Sequence, residues 1–236
     1  MGQDMRTFWD ERAEEDAFFF VDNRLQYGRP DLERFWSDGA QDLRRLLDAV
    51  GAELRPSDRA LEIGCGVGRL TRALSPQVES VCALDVSERM LELAREHNGE
   101  LRNVEWLLGD GRTLAGVASQ SVDACISHVV FQHIPEPEVT LGYVREIGRV
   151  LRPGGWAAFQ ISNDERIHAG GSPLDRVRRG LRGAIGRGPR GQNDPRWRGS
   201  MIPLSSLREA AREGSMAVER VAGEGTQLCC VLTRRR

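Results

Sequence analysis

The chain has 236 residues, 40% hydrophobic and 29% charged, with a formal net charge of -2. This balance describes a globular chain with a sizeable core, excludes global disorder, and leaves no overall charge for gripping a polyanion. All 33 basic residues are Arg and none is Lys, so a Schiff-base lysine and a P-loop lysine are both excluded. The five cysteines, Cys65, Cys82, Cys125, Cys229 and Cys230, form no C-x-x-C pair. An odd count in apolar surroundings predicts reduced thiols and a cytoplasmic protein. No apolar run of about 18 residues exists, and the charged stretch from Met1 to Glu15 lacks the core of a signal peptide.

In chain order, residues 1–36 form an aromatic preamble, expected to be a helical cap; the acidic stretch from Asp10 to Asp16 is placed on a helix. Leu43, Leu46, Leu47 and Val50 have the spacing of one apolar helix face, and Gly51 is positioned to end that helix. Ala60 to Ile63 is a short apolar strand that stops at Gly64-Cys-Gly-Val-Gly68. A helical pattern with Leu70, Ala73 and Leu74 follows. Ser80 to Leu84 is the next strand, ending at Asp85, and Ser87 opens a helix carrying Met90, Leu91 and Ala94. Val104 to Leu108, Val122 to Ser127 and Trp156 to Ile161 read as further strands, with a helix over Pro137 to Leu151.

Strands alternating with helices at this spacing predict βαβ units, hence a doubly wound, mostly parallel sheet covered on both faces. Residues 163–200, rich in Gly and Arg, interrupt the rhythm as an insert. Leu174, Val177, Leu181 and Ile185 have helical spacing within it. A helix over Leu204 to Glu213 is expected to open with a capping box of Ser206 and Glu209. Ala217 to Val221 and Gln227 to Thr233 read as an antiparallel hairpin at the sheet edge, with Cys229 and Cys230 packed on the edge strand.

A glycine cluster between a strand and a helix lets backbone approach a ligand where helix amides point outward. Asp85, at the end of the next strand, is placed to accept both hydroxyls of a ribose, so a nucleoside-containing cofactor is the first expectation. A dinucleotide fingerprint puts its third glycine where this chain has Arg69; Gly68 stands one residue early, and Glu62 precedes the loop. These features count against NAD or FAD.

Leu61-Glu-Ile-Gly-Cys-Gly-Val-Gly68 resembles motif I of class I S-adenosylmethionine-dependent methyltransferases. The resemblance continues in order through Leu84-Asp85-Val86-Ser87 with Met90, Leu108-Gly-Asp110-Gly111, Asp123 to Ser127 with Val130 to Ile134, and Leu151-Arg-Pro-Gly-Gly155. It spans about residues 40–162 and implies a Rossmann-like α/β fold, the cofactor S-adenosyl-L-methionine, and a single methyltransferase domain over 37–236 following the cap. It further implies that Gly64, Cys65, Gly66 and Gly68 pass the methionine part, with Glu62 orienting it. Asp85, beside Val86, would hold the ribose hydroxyls, Met90 would lie on the adenine face, and Asp110 with Gly111 would receive the adenine amino group. Ser127 and His128 would sit near the transferable methyl. Arg69 is either a partner of the methionine carboxylate or a solvated surface residue. Asp85 is alternatively a helix cap and Asp110 an ordinary turn residue.

Methyl transfer from a sulfonium is an in-line displacement with a neutral leaving group, so a base is needed only where the acceptor must lose a proton. His128 and His133 are the candidate catalytic residues, because an imidazole titrates near neutral pH. No carboxylate cluster accompanies them, and no metal is expected. The aromatic preamble suits a flat or apolar small-molecule acceptor; the Arg-rich insert keeps RNA or another anion as the alternative, and a non-catalytic cofactor-binding partner subunit is the third reading. No membrane partner is expected.

Overall fold

The computed structural model describes residues 2–164 and 194–236, with side chains from residue 5 onward. The helical spacing at Leu174 to Ile185 lies outside the described residues. The helices are α1 (Gly2–Val21), α2 (Leu32–Val50), α3 (Thr71–Leu74), α4 (Glu88–His97), α5 (Pro137–Val150), α6 (Pro195–Arg198) and α7 (Leu204–Glu213). The strands are β1 (Arg59–Ile63), β2 (Ser80–Asp85), β3 (Val104–Leu108), β4 (Val122–Ser127), β5 (Leu151–Ile161), β6 (Met216–Ala222) and β7 (Cys229–Arg235).

They form one seven-stranded sheet in the order β3-β2-β1-β4-β5-β7-β6. The first five strands pair in parallel; β7 lies antiparallel to β5, and β6 antiparallel to β7. This is the Rossmann-like doubly wound sheet with its antiparallel hairpin. The order reverses at β1, which pairs with both β2 and β4. The strand ends at such a switch point leave a crevice, and β1 delivers the glycine cluster into it.

Each sheet face has its own core. Leu141, Val144 and Ile147 of α5 pack with Leu207 and Ala211 of α7 on one face. Leu43, Leu46 and Val50 of α2 pack with Leu74 and Leu91 on the other. A third cluster joins Ala13 and Ala17 of α1 to Phe35, Val67 and Met90. Through it the N-terminal helix is packed onto the glycine loop and α4. Helix α2 begins at Asp31, whose carboxylate accepts the Arg34 N–H, and ends at Gly51 in left-handed geometry. It runs unbroken across the 36/37 boundary expected between cap and domain.

Two local expectations are corrected. Helix α7 starts after Pro203 with no side-chain cap bond, so Ser206 and Glu209 form no capping box. They lie inside the helix, because Pro203 sets the entry and places Leu207 against the core. The strand carrying Cys229 and Cys230 is not the edge: β7 lies between β5 and β6. That position buries Cys229 completely.

Candidate active site

Helix α1 changes direction at Asp16, which has extended geometry (φ -169°, ψ 82°). Its carboxylate accepts the Phe19 N–H at 3.1 Å, capping the second half of the helix. The bend lays α1 over the crevice. Arg6 donates to the carbonyls of Val86 and Gly109, at 3.1 and 3.0 Å. Asp10 accepts from Ser87 Oγ at 2.6 Å and from the Arg89 N–H at 3.2 Å. A covered cavity results, with Met5, Trp9, Phe20 and Val21 as its roof.

The floor is the glycine loop. Gly64 (φ +75°) and Gly66 (φ +54°) occupy left-handed backbone that favours glycine. A Cβ at Gly64 would sit 2.3 Å from Val130 Cγ2, so this position has no room for a side chain. Gly66 donates its N–H to Asp85 Oδ2 at 2.8 Å, and the Ser87 N–H reaches Oδ1 at 2.9 Å. Asp85 is therefore a fixed acceptor at the cavity wall. Ser87 Oγ, rather than Asp85, caps α4 by accepting the Met90 N–H.

Two buried carboxylates face this space, and neither has a cationic hydrogen-bond partner. Glu62 accepts from Thr71 Oγ1 at 2.6 Å, while Asp85 is held by backbone amides. Burial pushes Glu62 up to about 7 and also raises Asp85. A pocket with two poorly compensated carboxylates suits a ligand that brings positive charge and hydroxyl donors.

Of the residues singled out in the sequence, Glu62, Gly64, Cys65, Gly66, Asp85, Val86, Met90, Gly111, His128 and His133 all line this one cavity. Gly68, Asp110 and Ser127 are not among the lining residues. Gly68 turns behind the loop, where a Cβ would meet Asn98 Nδ2 at 2.7 Å. Asp110 is tied into a turn by the Arg112 and Thr113 N–H groups and by Thr113 Oγ1. Burial acts to raise its pKa, but those bonds outweigh it and hold the carboxyl below its ordinary value. Ser127 donates to the Ile63 carbonyl at 3.0 Å, stitching β4 to β1.

Arg69 is buried and not a solvated surface residue. Its Nη1 lies 2.7 Å from Asp42 and 3.5 Å from Asp22, and Arg24 bonds the same two carboxylates. The cluster ties the turn after α1 to α2, which carries Asp42, and to the end of the glycine loop at Arg69. His128 joins it, with Nδ1 at 3.5 Å from Arg69 Nη2. A guanidinium only donates, so Nδ1 carries the lone pair and Nε2 the proton. Burial and then Arg69 depress His128 to about 4. Val129 follows at φ +58°, an uncommon conformation for a β-branched residue. Its N–H is held by Gln160 Oε1 at 3.1 Å. Such strain concentrates at functional sites.

Sequence reasoning did not name Met5, Val21 or Tyr143 as lining residues, nor Trp197, which packs behind His133. The pattern Val139, Tyr143, Ile147 on α5 marks an inward face, but it does not say which turn meets a cavity.

Residues 61–159 match the family model described as a methyltransferase domain. This stretch, from β1 to β5, is thus similar to a methyltransferase domain and holds the glycine loop described above. Over 114 residues it is 40% identical to an uncharacterized 37.1 kDa protein in transposon TN4556 of Streptomyces fradiae, covering 47% of this chain and 31% of that protein. It is 32% identical over 130 residues to a ubiquinone biosynthesis O-methyltransferase of Xanthomonas campestris pv. campestris, covering 52% of this chain and 53% of that one. The chain thus spans about a third and about half of these relatives. Phosphoethanolamine N-methyltransferase 1 of Haemonchus contortus, solved with phosphoethanolamine and S-adenosylhomocysteine, has the same fold. The TM-score is 0.69 at 15% identity, over 99% of this chain and 48% of that one.

Proposed function

We propose that this protein transfers a methyl group from S-adenosyl-L-methionine to a small-molecule acceptor. The carrying observation is the pair Glu62 and Asp85, two buried carboxylates without cationic partners at the glycine loop. Bound there, the cofactor supplies an activated methyl on a sulfonium whose departure leaves a neutral thioether. Asp85 holds the ribose hydroxyls with the lone pairs its amide partners leave free. Glu62 orients the methionine part through Thr71 and the loop. Gly64, Cys65 and Gly66 let the main chain approach, Met90 and Val86 contact the base and Gly111 gives it room. Arg69, fixed by its carboxylates, faces the methionine end.

The roof of Trp9, Phe20 and Val21 excludes water and closes over an acceptor too small to need an open groove. That enclosure favours a metabolite over structured RNA, and it makes the cap part of the site. Among the described residues, no group of three or more His, Cys, Asp or Glu side chains could hold a metal ion. No described helix is long and apolar enough to cross a membrane; we place the enzyme in the cytoplasm on its unpaired cysteines. Of the two histidines, His128 serves as a donor that orients, and His133 is the one with a lone pair toward the cavity.

Methyl-labelled cofactor incubated with the protein and, in parallel, a small-metabolite extract and total RNA tests this reading. Label in a small product is expected. Label in RNA alone would replace the acceptor class, and no transfer despite cofactor binding would favour a non-catalytic subunit.

A further inference from the structure

Resting on the proposed function, we propose that Trp197 is a positioning residue that turns the acceptor end of the cavity into a hydrogen-bond acceptor. The substrate it selects is then a neutral, planar molecule with an O–H or N–H at the atom to be methylated.

His133 Nδ1 lies 2.5 Å from the Trp197 carbonyl oxygen. A carbonyl only accepts, so the single proton of the neutral ring sits on Nδ1 and Nε2 keeps its lone pair. His133 lines the cavity, and burial depresses it to about 4. The ring stays neutral around pH 7. Nε2 is thus a fixed acceptor, complementary to a donor on the substrate. His128, with the opposite tautomer, offers a donor nearby.

The same residue organises the wall. The Trp197 indole stands 5.0 Å from His133, 5.6 Å from Phe20 and 6.1 Å from Trp9, centroid to centroid. It is the shared neighbour of three lining rings, two from α1 and one from the segment after β4. The Trp197 carbonyl has little freedom to move. A Cβ at Gly199 (φ +58°) would lie 1.7 Å from the Gln132 carbonyl oxygen, so the two segments touch backbone to backbone. Ser200 Oγ donates to the Ile134 carbonyl at 2.7 Å, pinning the segment on the other side.

Charge narrows the class further. Beside Trp197, Arg196 is matched by Asp194 and Arg12 by Glu15. Among the described residues, the guanidiniums packed behind this wall are thus paired, which leaves them little pull on an anionic group. The Arg12 guanidinium already lies over Phe20, a lining ring, which opposes a cationic guest at that ring. A planar neutral donor is what these rings and one lone pair accommodate. As the acceptor O or N bonds the methyl, the C–S bond breaks to leave S-adenosylhomocysteine, and the X–H proton passes to His133 Nε2 and on to solvent; an O-methyl product has no donor left for that bond and leaves.

The test has two arms. First, ¹⁵N NMR of histidine-labelled protein, which has four histidines, reads the tautomers without any ligand. His133 is expected as Nδ1–H and His128 as Nε2–H; an Nε2–H form at His133 overturns the proposal. Second, the protein loaded with S-adenosylhomocysteine is titrated with 2-naphthol, 2-methoxynaphthalene and choline. The naphthol is expected to bind about tenfold tighter than its methyl ether, the size of one hydrogen bond, and choline not at all. Equal binding of the pair, binding of neither, or preference for choline overturns the substrate class.

Trp197→Ala is expected to weaken the naphthol about tenfold or more while S-adenosylhomocysteine affinity stays within about twofold. Gly199→Ala is expected to convert the His133 tautomer; should that variant not fold, the wild-type tautomer and the wild-type ligand pair still decide. Failure of S-adenosylhomocysteine to bind the wild type would fell the proposed function, whereas the tautomer measurement stands apart from it.

Discussion

Ser87 Oγ and Asp10 Oδ1 meet at 2.6 Å across 77 positions of sequence. The hydroxyl donates to the lid helix while accepting the Met90 N–H, so one side chain caps α4 and fastens the roof of the cavity. Asp10 also lies at the positive end of α4.

Asp10→Ala therefore loosens the lid more than the fold. The lost charged hydrogen bond is worth roughly 1.5–3 kcal/mol locally. We expect S-adenosylhomocysteine to dissociate about tenfold faster or more, with urea unfolding shifted by less than that local figure. Stopped-flow displacement checks it, and an unchanged off-rate would mean that the roof opens elsewhere.

Asp85→Ala removes the acceptor fixed by Gly66 and Ser87. We expect cofactor affinity to fall about a hundredfold or more while circular dichroism remains that of a folded α/β protein. Unaltered affinity would sink the ribose assignment.

Glycine substitutions separate geometry from composition. Gly64→Ala puts a Cβ 2.3 Å from Val130 at φ +75° and should cost roughly 1–3 kcal/mol in urea unfolding. Gly142, inside α5, meets nothing within 4 Å; Gly142→Ala should add about 0.5–1 kcal/mol. A harmless Gly64→Ala would contradict the tight loop.

The pH dependence has a defined sign. Glu62, raised from 4.5 to about 7, holds its proton in the folded state while the unfolded chain has lost it. Its contribution to stability is present below about pH 4.5 and is lost as pH rises to about 7. His133, lowered from 6.5 to about 4, works the other way: its contribution is present above about 6.5 and is lost as pH falls to about 4. Glu62→Gln should therefore unfold with stability rising more steeply from pH 4.5 to 7 than wild type, by an amount on the order of 3 kcal/mol over that window. Parallel profiles would mean that Glu62 titrates normally.

The alternation of apolar strands with helices made the parallel sheet legible. The glycine cluster and Asp85 made its ligand crevice legible, because local turn chemistry and strand ends lie close in sequence. That an aromatic N-terminal cap would face the acceptor was legible, and Trp9 and Phe20 do line the cavity; how the cap is held there was not. Helix α1 is directed by a cap at Asp16 that breaks its own helix, and its partners Val86, Ser87 and Gly109 are long-range. Val129 at φ +58° is invisible to propensity, since a β-branched residue is the last choice there. The Trp197 carbonyl on His133 spans 64 positions and involves main chain, which no side-chain pattern announces. The expected capping box at Ser206 failed because Pro203 had already fixed the helix start.

The central claim is that Glu62, the glycine loop and Asp85 hold a sulfonium nucleoside. Calorimetric titration of the folded protein with S-adenosylmethionine and S-adenosylhomocysteine, with NAD as control, tests it most directly. The account predicts affinities on the order of micromolar for the first two and none for NAD. Absence of binding by both sulfur nucleosides, or binding of NAD instead, would contradict it.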